Sequence, residues 1–324
     1  MSIELVSYIA FFLTVALTYG IMCLGLNVQW GQTGLFNVGV AGFVAIGAYV
    51  SAIMTTPDDP NRFGGFDLPI IAGWIGGALA AAIVSFLVGL LTVRLRADYL
   101  AIATFGVAVV VQLCALNIES VTGGPFGMGF IPRPFASLAG NALVFGLLNL
   151  GVTALTVLGV YLALERLLRS PWGRVLRAIR EDEQAALALG KNAFHFRLQA
   201  FAIGGGIMGL AGAVQAHFIG FIAPENYVPM LTFQVWAMLI VGGSGNNLGA
   251  ILGAVLVWAI WAASAAGISA FVPPEQQARA AALQIVLIGL AICMMLLVRP
   301  RGLLGEVRTV SRHITSRDKT SSSS

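Results

Sequence analysis

The sequence predicts an all-α polytopic membrane protein of roughly eight to ten transmembrane or re-entrant helices. Three observations predict it. The chain is 58% hydrophobic and only 10% charged, with a mean hydropathy of +0.89. Its apolar runs reach about 20 residues, the length that crosses a hydrocarbon core. Its charged residues gather in short islands between those runs. The formal charge of +4 does not indicate nucleic acid, because the basic residues sit beside the spans. Cys23, Cys114 and Cys293 lie inside apolar runs without pairing spacing, and His195, His217 and His313 are scattered. That pattern speaks against a disulfide framework and against a metal site.

Taken in order, Leu5 to Pro57 carries no charged side chain and is long enough for two crossings. Its middle holds Asn27, Gln29, Gln32 and Asn37 among glycines, which reads as a turn or a broken helix at the membrane surface. Met1 to Leu26 lacks a basic n-region and an A-x-A site, so it reads as a retained span. A polar loop follows from Pro57 to Asp67, then a span from Pro69 to Val93 stopped by Arg94 and Arg96, and a fourth from Tyr99 to Asn117. The segment T-G-G-P-F-G-M-G-F-I-P-R-P, Thr122 to Pro134, has too much Gly and Pro for a helix and is too apolar for a solvated loop. It is expected to fold back onto the embedded core. Leu143 to Leu164 and Leu198 to Ile222 are the fifth and sixth spans. Leu231 to Val241 is too short to cross and reads as a half-helix or re-entrant segment. Gly242 to Gly249 is a turn, Ala250 to Ala266 is nearly span length, Glu275 and Arg279 mark a loop, and Ala280 to Val298 is the last span. The membrane-embedded body is residues 1–305, and residues 306–324 form a polar, Ser-rich tail.

The long charged stretch between spans, Glu165 to Arg197, encodes two short helices. Ser170-Pro171 supplies an N-cap followed by Pro at the first helical position. Arg174, Arg177 and Arg180 recur every three residues beside Val175, Leu176 and Ile179, which makes a basic face next to an apolar one. Asp182 caps a second helix, Glu183 to Leu189, and Gly190 is placed to end it in the left-handed region. A solvated loop touching anionic lipid would account for the arginines, but not for the acidic run Glu181-Asp182-Glu183; a protein partner uses both signs.

Basic residues fall mainly on one side of this topology: Arg94, Arg96, Arg166, Arg169, Arg174, Arg177, Arg180, Lys191, Arg197 and six more from Arg299 to Lys319, against Arg62, Arg133 and Arg279 on the other. The first side is expected to be cytoplasmic, with the N-terminus outside and the C-terminus inside. No G-x-x-x-x-G-K-[ST] loop occurs, and Gly190-Lys191 is followed by Asn192, so the chain is not expected to hydrolyse nucleotide. Apart from Glu4, the acids lie in loops or near span ends, which weakens an ion-coupled mechanism. The pairs Gly73/Gly77, Gly205/Gly209 and Gly249/Gly253 suit close helix packing.

Several stretches together carry a family resemblance: L-G-L-N at Leu24 to Asn27, W-G-Q-T-G-L-F-N-V-G-V-A-G-F at Trp30 to Phe43, and I-G-A-Y at Ile46 to Tyr49. With them go T-G-G at Thr122 to Gly124, S-P-W-G-R-V-L-R-A-I-R-E-D-E at Ser170 to Glu183, G-L-A-G-A at Gly209 to Ala213, V-G-G-S-G-N-N-L-G-A-I-L-G-A at Val241 to Ala254, and R-P-R-G-L-L-G at Arg299 to Gly305. In these the chain resembles the permease subunits of ATP-binding-cassette importers for branched-chain amino acids, and specifically the M-type member of the heterodimeric pair. The resemblance implies a bacterial inner-membrane location and, as partners, an H-type permease, two ATPase subunits that bind ATP and magnesium, and a periplasmic substrate-binding protein. It implies no cofactor on this chain. Two departures stand out. Asn37 and Val40 replace the Ser and His often found there, and Gln184 stands where the EAA-like loop of importer permeases usually has Glu, with Glu183 adjacent.

On these grounds Arg174, Arg177, Arg180, Glu181, Asp182, Glu183 and Gly190 are the expected contact with an ATPase. Asn27, Gln29, Gln32, Asn37, Asn117 and Thr122 are expected near the translocation path, since an unpaired amide in hydrocarbon costs several kcal/mol and a hydrated path removes that cost. Interhelical hydrogen bonding is the competing explanation for each of these polar residues. A permease for urea, short amides or other amino acids, and an autonomous channel, are the alternatives. A membrane enzyme is disfavoured, because no nucleophile, base and orienting group fall together.

Overall fold

The computed structural model describes residues 3–58, 62–138, 140–273, 276–298 and 302–305. The tail from residue 306, with Arg299, Arg301, Asp59 and Glu275, lies outside them. The described chain is helical, with one isolated antiparallel bridge, Met128 to Ile222. The long helices are α1 (Ile3–Gln29), α2 (Val40–Thr55), α3 (Ile70–Thr92) and α4 (Ala97–Asn117). After the short α5 (Glu119–Thr122) come α6 (Ala142–Arg169), α7 (Pro171–Glu181), α8 (Glu183–Ala188), α9 (Ala193–Ile219), α10 (Pro229–Gly242), α11 (Asn247–Phe271) and α12 (Gln277–Val298). Six helices among the described residues are long and apolar enough to cross a membrane: α1, α3, α4, α6, α9 and α11. α2 and α10 are apolar but shorter. The chain is an all-α, multi-pass membrane protein.

α1 and α9 form the buried centre, and α2 packs across α9 beside α3. The crossing of α2, α3 and α9 is made of glycines. A β-carbon on Gly47 would collide with the Gly209 carbonyl, and one on Gly77 would press on the Gly47 carbonyl. Backbone therefore lies on backbone there, which is what small residues achieve when lipid supplies no hydrophobic drive between helices. The pairs picked out by spacing all lie at close helix contacts: Gly73 against the side chains of Ser51 and Thr55, Gly205 against that of Ser85, and Gly249 and Gly253 against the backbone of Gly242.

The surface loops sort into two ends. At one, residue 63 pairs with residue 120 (Phe63 N–H to Ser120 carbonyl, 2.7 Å), and Arg133 donates to the Ile219 carbonyl. There the Gly- and Pro-rich segment folds back as expected, with Met128 and Ile131 buried. At the other end lie the C-termini of α1, α3, α6 and α10 and the N-termini of α4, α9 and α11, together with α7, α8 and residues 302–305, whose Leu303 N–H bonds the Val241 carbonyl. Arg94, Arg96, Arg166, Arg169, Arg174, Arg177, Arg180, Lys191 and Arg197 all fall at this second, basic end.

Several boundaries differ from the sequence reading: α11 begins at Asn247, inside the expected Gly242 to Gly249 turn, and runs on to Phe271, and α12 begins at Gln277 rather than Ala280. α9 begins at Ala193, five residues before Leu198, because Asn192 accepts from the His195 N–H at 3.2 Å and caps it. α6 runs on through Glu165 to Arg169, so the loop between the two membrane helices is shorter than the charged stretch.

Candidate functional site

Four of the predicted polar residues meet at the basic end of α1. Asn27 is fully buried; its amide donates to Asn247 Oδ1 (2.9 Å) and its oxygen accepts from the Gly245 N–H (2.8 Å). Asn247 passes the chain on to Glu165 of α6 at 3.2 Å. Gln29 donates to the Phe201 carbonyl of α9 (2.8 Å) and accepts from Asn37 Nδ2 (2.6 Å). Asn37 Oδ1 caps the Gly39 N–H (2.7 Å), while its carbonyl accepts from Trp236 Nε1 (2.9 Å). Gln32 donates to the Gly245 carbonyl at 3.1 Å, and its oxygen is buried with no partner. These groups therefore knit α1, α6, α9, α10, α11 and the 243–246 turn into one polar knot, whose five amide side chains are buried.

Residues 34–39, between α1 and α2, are not helical, and the side chains of distant helices stand in for the missing backbone partners. Thr104 of α4 accepts from the Val38 N–H (2.9 Å), and Thr232 of α10 accepts from the Ala41 N–H (3.0 Å). The broken-helix alternative is thus the one realised, and the break is sealed inside the bundle, as irregular backbone at membrane depth must be. Trp30, Phe36 and Trp236 pack edge to face around it, with centroids 4.7–5.4 Å apart.

Asn117 and Thr122 are at the opposite end and do not join the knot. Asn117 is exposed and donates to the Leu113 carbonyl of its own helix (2.7 Å); Thr122 is buried and bonds the Ala115 carbonyl (2.6 Å). Replacing Gln29 by leucine, which strips two buried bonds and orphans Asn37 Nδ2, is expected to cost about 1–3 kcal/mol. Asn117→Leu is expected to cost under about 0.5 kcal/mol. Thermal unfolding of the purified variants in detergent separates the two.

The helix pair forms as its caps require. Ser170 Oγ accepts from the Trp172 N–H (3.2 Å) at the start of α7, and Asp182 Oδ1 accepts from the Ala185 N–H (3.0 Å) at the start of α8. Gly190 ends the pair with φ +72°. Open space surrounds its Cα, so only the left-handed backbone resists a side chain. Gly190→Val is expected to cost roughly 1 kcal/mol locally. Limited trypsinolysis at the neighbouring Lys191 should then be faster.

The apolar side of α7 is spent inside the chain: Leu176 and Ile179 are buried, with Ile179 packed beside Ala186, Ala193 and Phe196. The charged residues divide. Arg174, Glu181 and Asp182 are exposed. Arg177 lies near the Leu168 carbonyl (3.4 Å), and Arg180 donates to the carbonyl of Gly31, inside the polar knot's own loop. Glu183 pairs with Arg197 of α9 at 2.8 Å. What the spacing did not reveal is that Leu187 of α8 and Leu189 just after it are exposed, the latter 79%. Nor did it reveal a cavity of about 360 Å³ walled by Tyr19, Gln215 and Asn226, single polar residues inside or beside apolar runs.

Fold and site together define a multi-pass helical membrane protein with a small surface helix pair, one arginine of which grips the buried polar centre. The chain belongs to the family described as branched-chain amino acid transport system / permease component, which it matches over residues 8–297. It is 36% identical over 270 residues to the high-affinity branched-chain amino acid transport system permease protein LivM of Escherichia coli K12, covering 75% of this chain and 60% of that relative. It is 26% identical over 307 residues to the corresponding LivH protein of Salmonella typhimurium, covering 90% and 92%. It is also 28% identical over 243 residues to the nucleoside ABC transporter permease protein NupC of Lactococcus lactis, covering 69% and 71%. No solved structure matches the chain.

Proposed function

We propose that the chain is the M-type permease subunit of an ATP-driven importer and forms, with an H-type permease, the path for branched-chain amino acids. One of the complex's two ATPases docks on α7 and α8, and a periplasmic binding protein delivers the solute at the opposite end. ATP and magnesium belong to the ATPases; this chain carries no cofactor and does no chemistry. The basic end is cytoplasmic, which places the N-terminus in the periplasm and the C-terminus inside the cell.

The observation that carries this reading is the bond from Arg180 to Gly31. A helix pair that exposes Leu187 and Leu189 together with Arg174, Glu181 and Asp182 offers the apolar residues and both signs of charge that a protein interface uses. Through Arg180, any tilt of that pair reaches the loop that carries Gln32 and Asn37 and follows Asn27 of α1. The polar knot then acts as the cytoplasmic closure of a path that begins near Asn117 and Thr122. The path passes the Tyr19, Gln215 and Asn226 cavity, about 12 Å along α1 from Asn27 at 1.5 Å per residue.

Reconstitution tests it. Proteoliposomes holding the chain with its H-type partner, the ATPases and the binding protein should take up labelled leucine only with ATP, and Leu189→Asp should reduce that uptake about tenfold or more. Uptake by the chain alone, without ATPase, would make it an autonomous facilitator.

A further inference from the structure

A cavity of about 430 Å³ opens at the basic end, between the α3–α4 turn, the start of α8 and the start of α9. Arg94, Arg96 and Arg197 line it, against the single carboxylate of Glu183. Each guanidinium is in a different circumstance. Arg94 is laid over the Phe194 ring at 4.2 Å, which fixes its plane. Arg197 gives Nη1 to Glu183 at 2.8 Å, while its Nε is buried with no hydrogen-bond partner. Arg96 is exposed and precedes α4, whose first turn no side chain caps. Three guanidinium groups lining one cavity against a single carboxylate leave a net positive site suited to an oxyanion, even with Asp98 in the first turn of α4 beside it.

The surroundings say where that anion comes from. Leu91, Leu95, Tyr99 and Ile102, on or between the same two helices, are 80%, 42%, 63% and 69% exposed. Leu95 lines the cavity itself, and the other three are exposed apolar or aromatic side chains on the adjoining ends of two span-length helices, the composition of a lipid-facing surface with an interfacial tyrosine. A ligand with a phosphate head and acyl chains satisfies both halves at once; a free anion leaves those side chains bare.

We propose that this cavity binds the phosphodiester headgroup of an anionic phospholipid, with the acyl chains lying along α3 and α4. The bound headgroup bridges α8, through the Arg197–Glu183 pair, to the α3–α4 turn. This stands independently of the transport reading, because it needs only a bilayer at the basic end.

Native mass spectrometry of the purified chain, titrated separately with phosphatidylglycerol, phosphatidylcholine and inorganic phosphate, tests it. Phosphatidylglycerol should be retained in preference to phosphatidylcholine. Arg94→Gln with Arg96→Gln should weaken phosphatidylglycerol roughly 30-fold, at about one surface-arginine contribution each. Arg166→Gln with Arg169→Gln, at the same end but off the cavity, should leave it unchanged. Equal retention of the two lipids by the wild type would overturn the proposal whatever the variants do. So would equal weakening by both double variants, which would mean a diffuse basic surface. Displacement of phosphatidylglycerol by millimolar phosphate would overturn the lipid assignment in favour of a free anion.

Discussion

Replacing Gly47 by valine is expected to leave almost no extractable, monodisperse protein. The new side chain has nowhere to go: the Gly209 carbonyl of α9 occupies the position of its β-carbon, and Gly77 of α3 packs on the Gly47 carbonyl from another direction. Backbone cannot swing aside as a side chain can, so α2 must separate from α9. Overpacking in a close-packed core typically costs about 1–3 kcal/mol, and a backbone collision belongs in the upper tail of single-site effects, above about 4 kcal/mol. Gly106→Val is the control, because no atom lies within 4 Å of the β-carbon it would add. Fluorescence-detected size exclusion from solubilised membranes should show a normal peak for Gly106→Val and none for Gly47→Val.

Replacing Arg180 by glutamate is expected to uncouple the assembled transporter while leaving the subunit inserted. The guanidinium holds the Gly31 carbonyl, and a carboxylate in its place would face that oxygen with like polarity. A charge-assisted bond is worth about 1.5–3 kcal/mol, so transport should fall about tenfold to a hundredfold. Binding-protein-stimulated ATP hydrolysis should fall with it. Arg174→Glu, on an exposed residue that does not reach the loop, should have the smaller effect on uptake. Reversal of Arg177 and Arg180 together should be no milder than that of Arg180 alone.

Much of this architecture was legible in the residues because the signals are local. Ser170-Pro171, Asp182 and Gly190 announce their helix ends by chemistry contained within a few positions, and each cap forms as read. The long apolar runs fix the spans for the same reason. What the sequence left open depends on contacts between distant positions. Whether 30–39 is a surface turn or a break within the bundle is decided by Thr104 and Thr232, which lie 66 and 191 positions from the N–H groups they satisfy. Arg180 looked like one of three equivalent arginines on a basic face until its partner, 149 positions away, set it apart. The exposure of Leu187 and Leu189 is likewise set by distant contacts, because the second surface helix is covered through Ala186, packed beside Ile179, Ala193 and Phe196. The amides of the knot were found as a set by their rarity in an apolar run. Asn117 and Thr122 were gathered by the same rule, although they sit at the other end.

The central claim is that α7 and α8 move the polar knot through Arg180. The most direct measurement is thiol labelling of Gln32→Cys, in a chain whose exposed Cys114 and Cys293 have been replaced by serine. The residue is 2% exposed in this conformation. In the reconstituted transporter it should resist a small aqueous maleimide without nucleotide, react when the ATPases are trapped with nucleotide bound, and lose that response when Arg180→Glu is added. Equal labelling in every nucleotide state, in a transporter that still takes up leucine, would contradict the account.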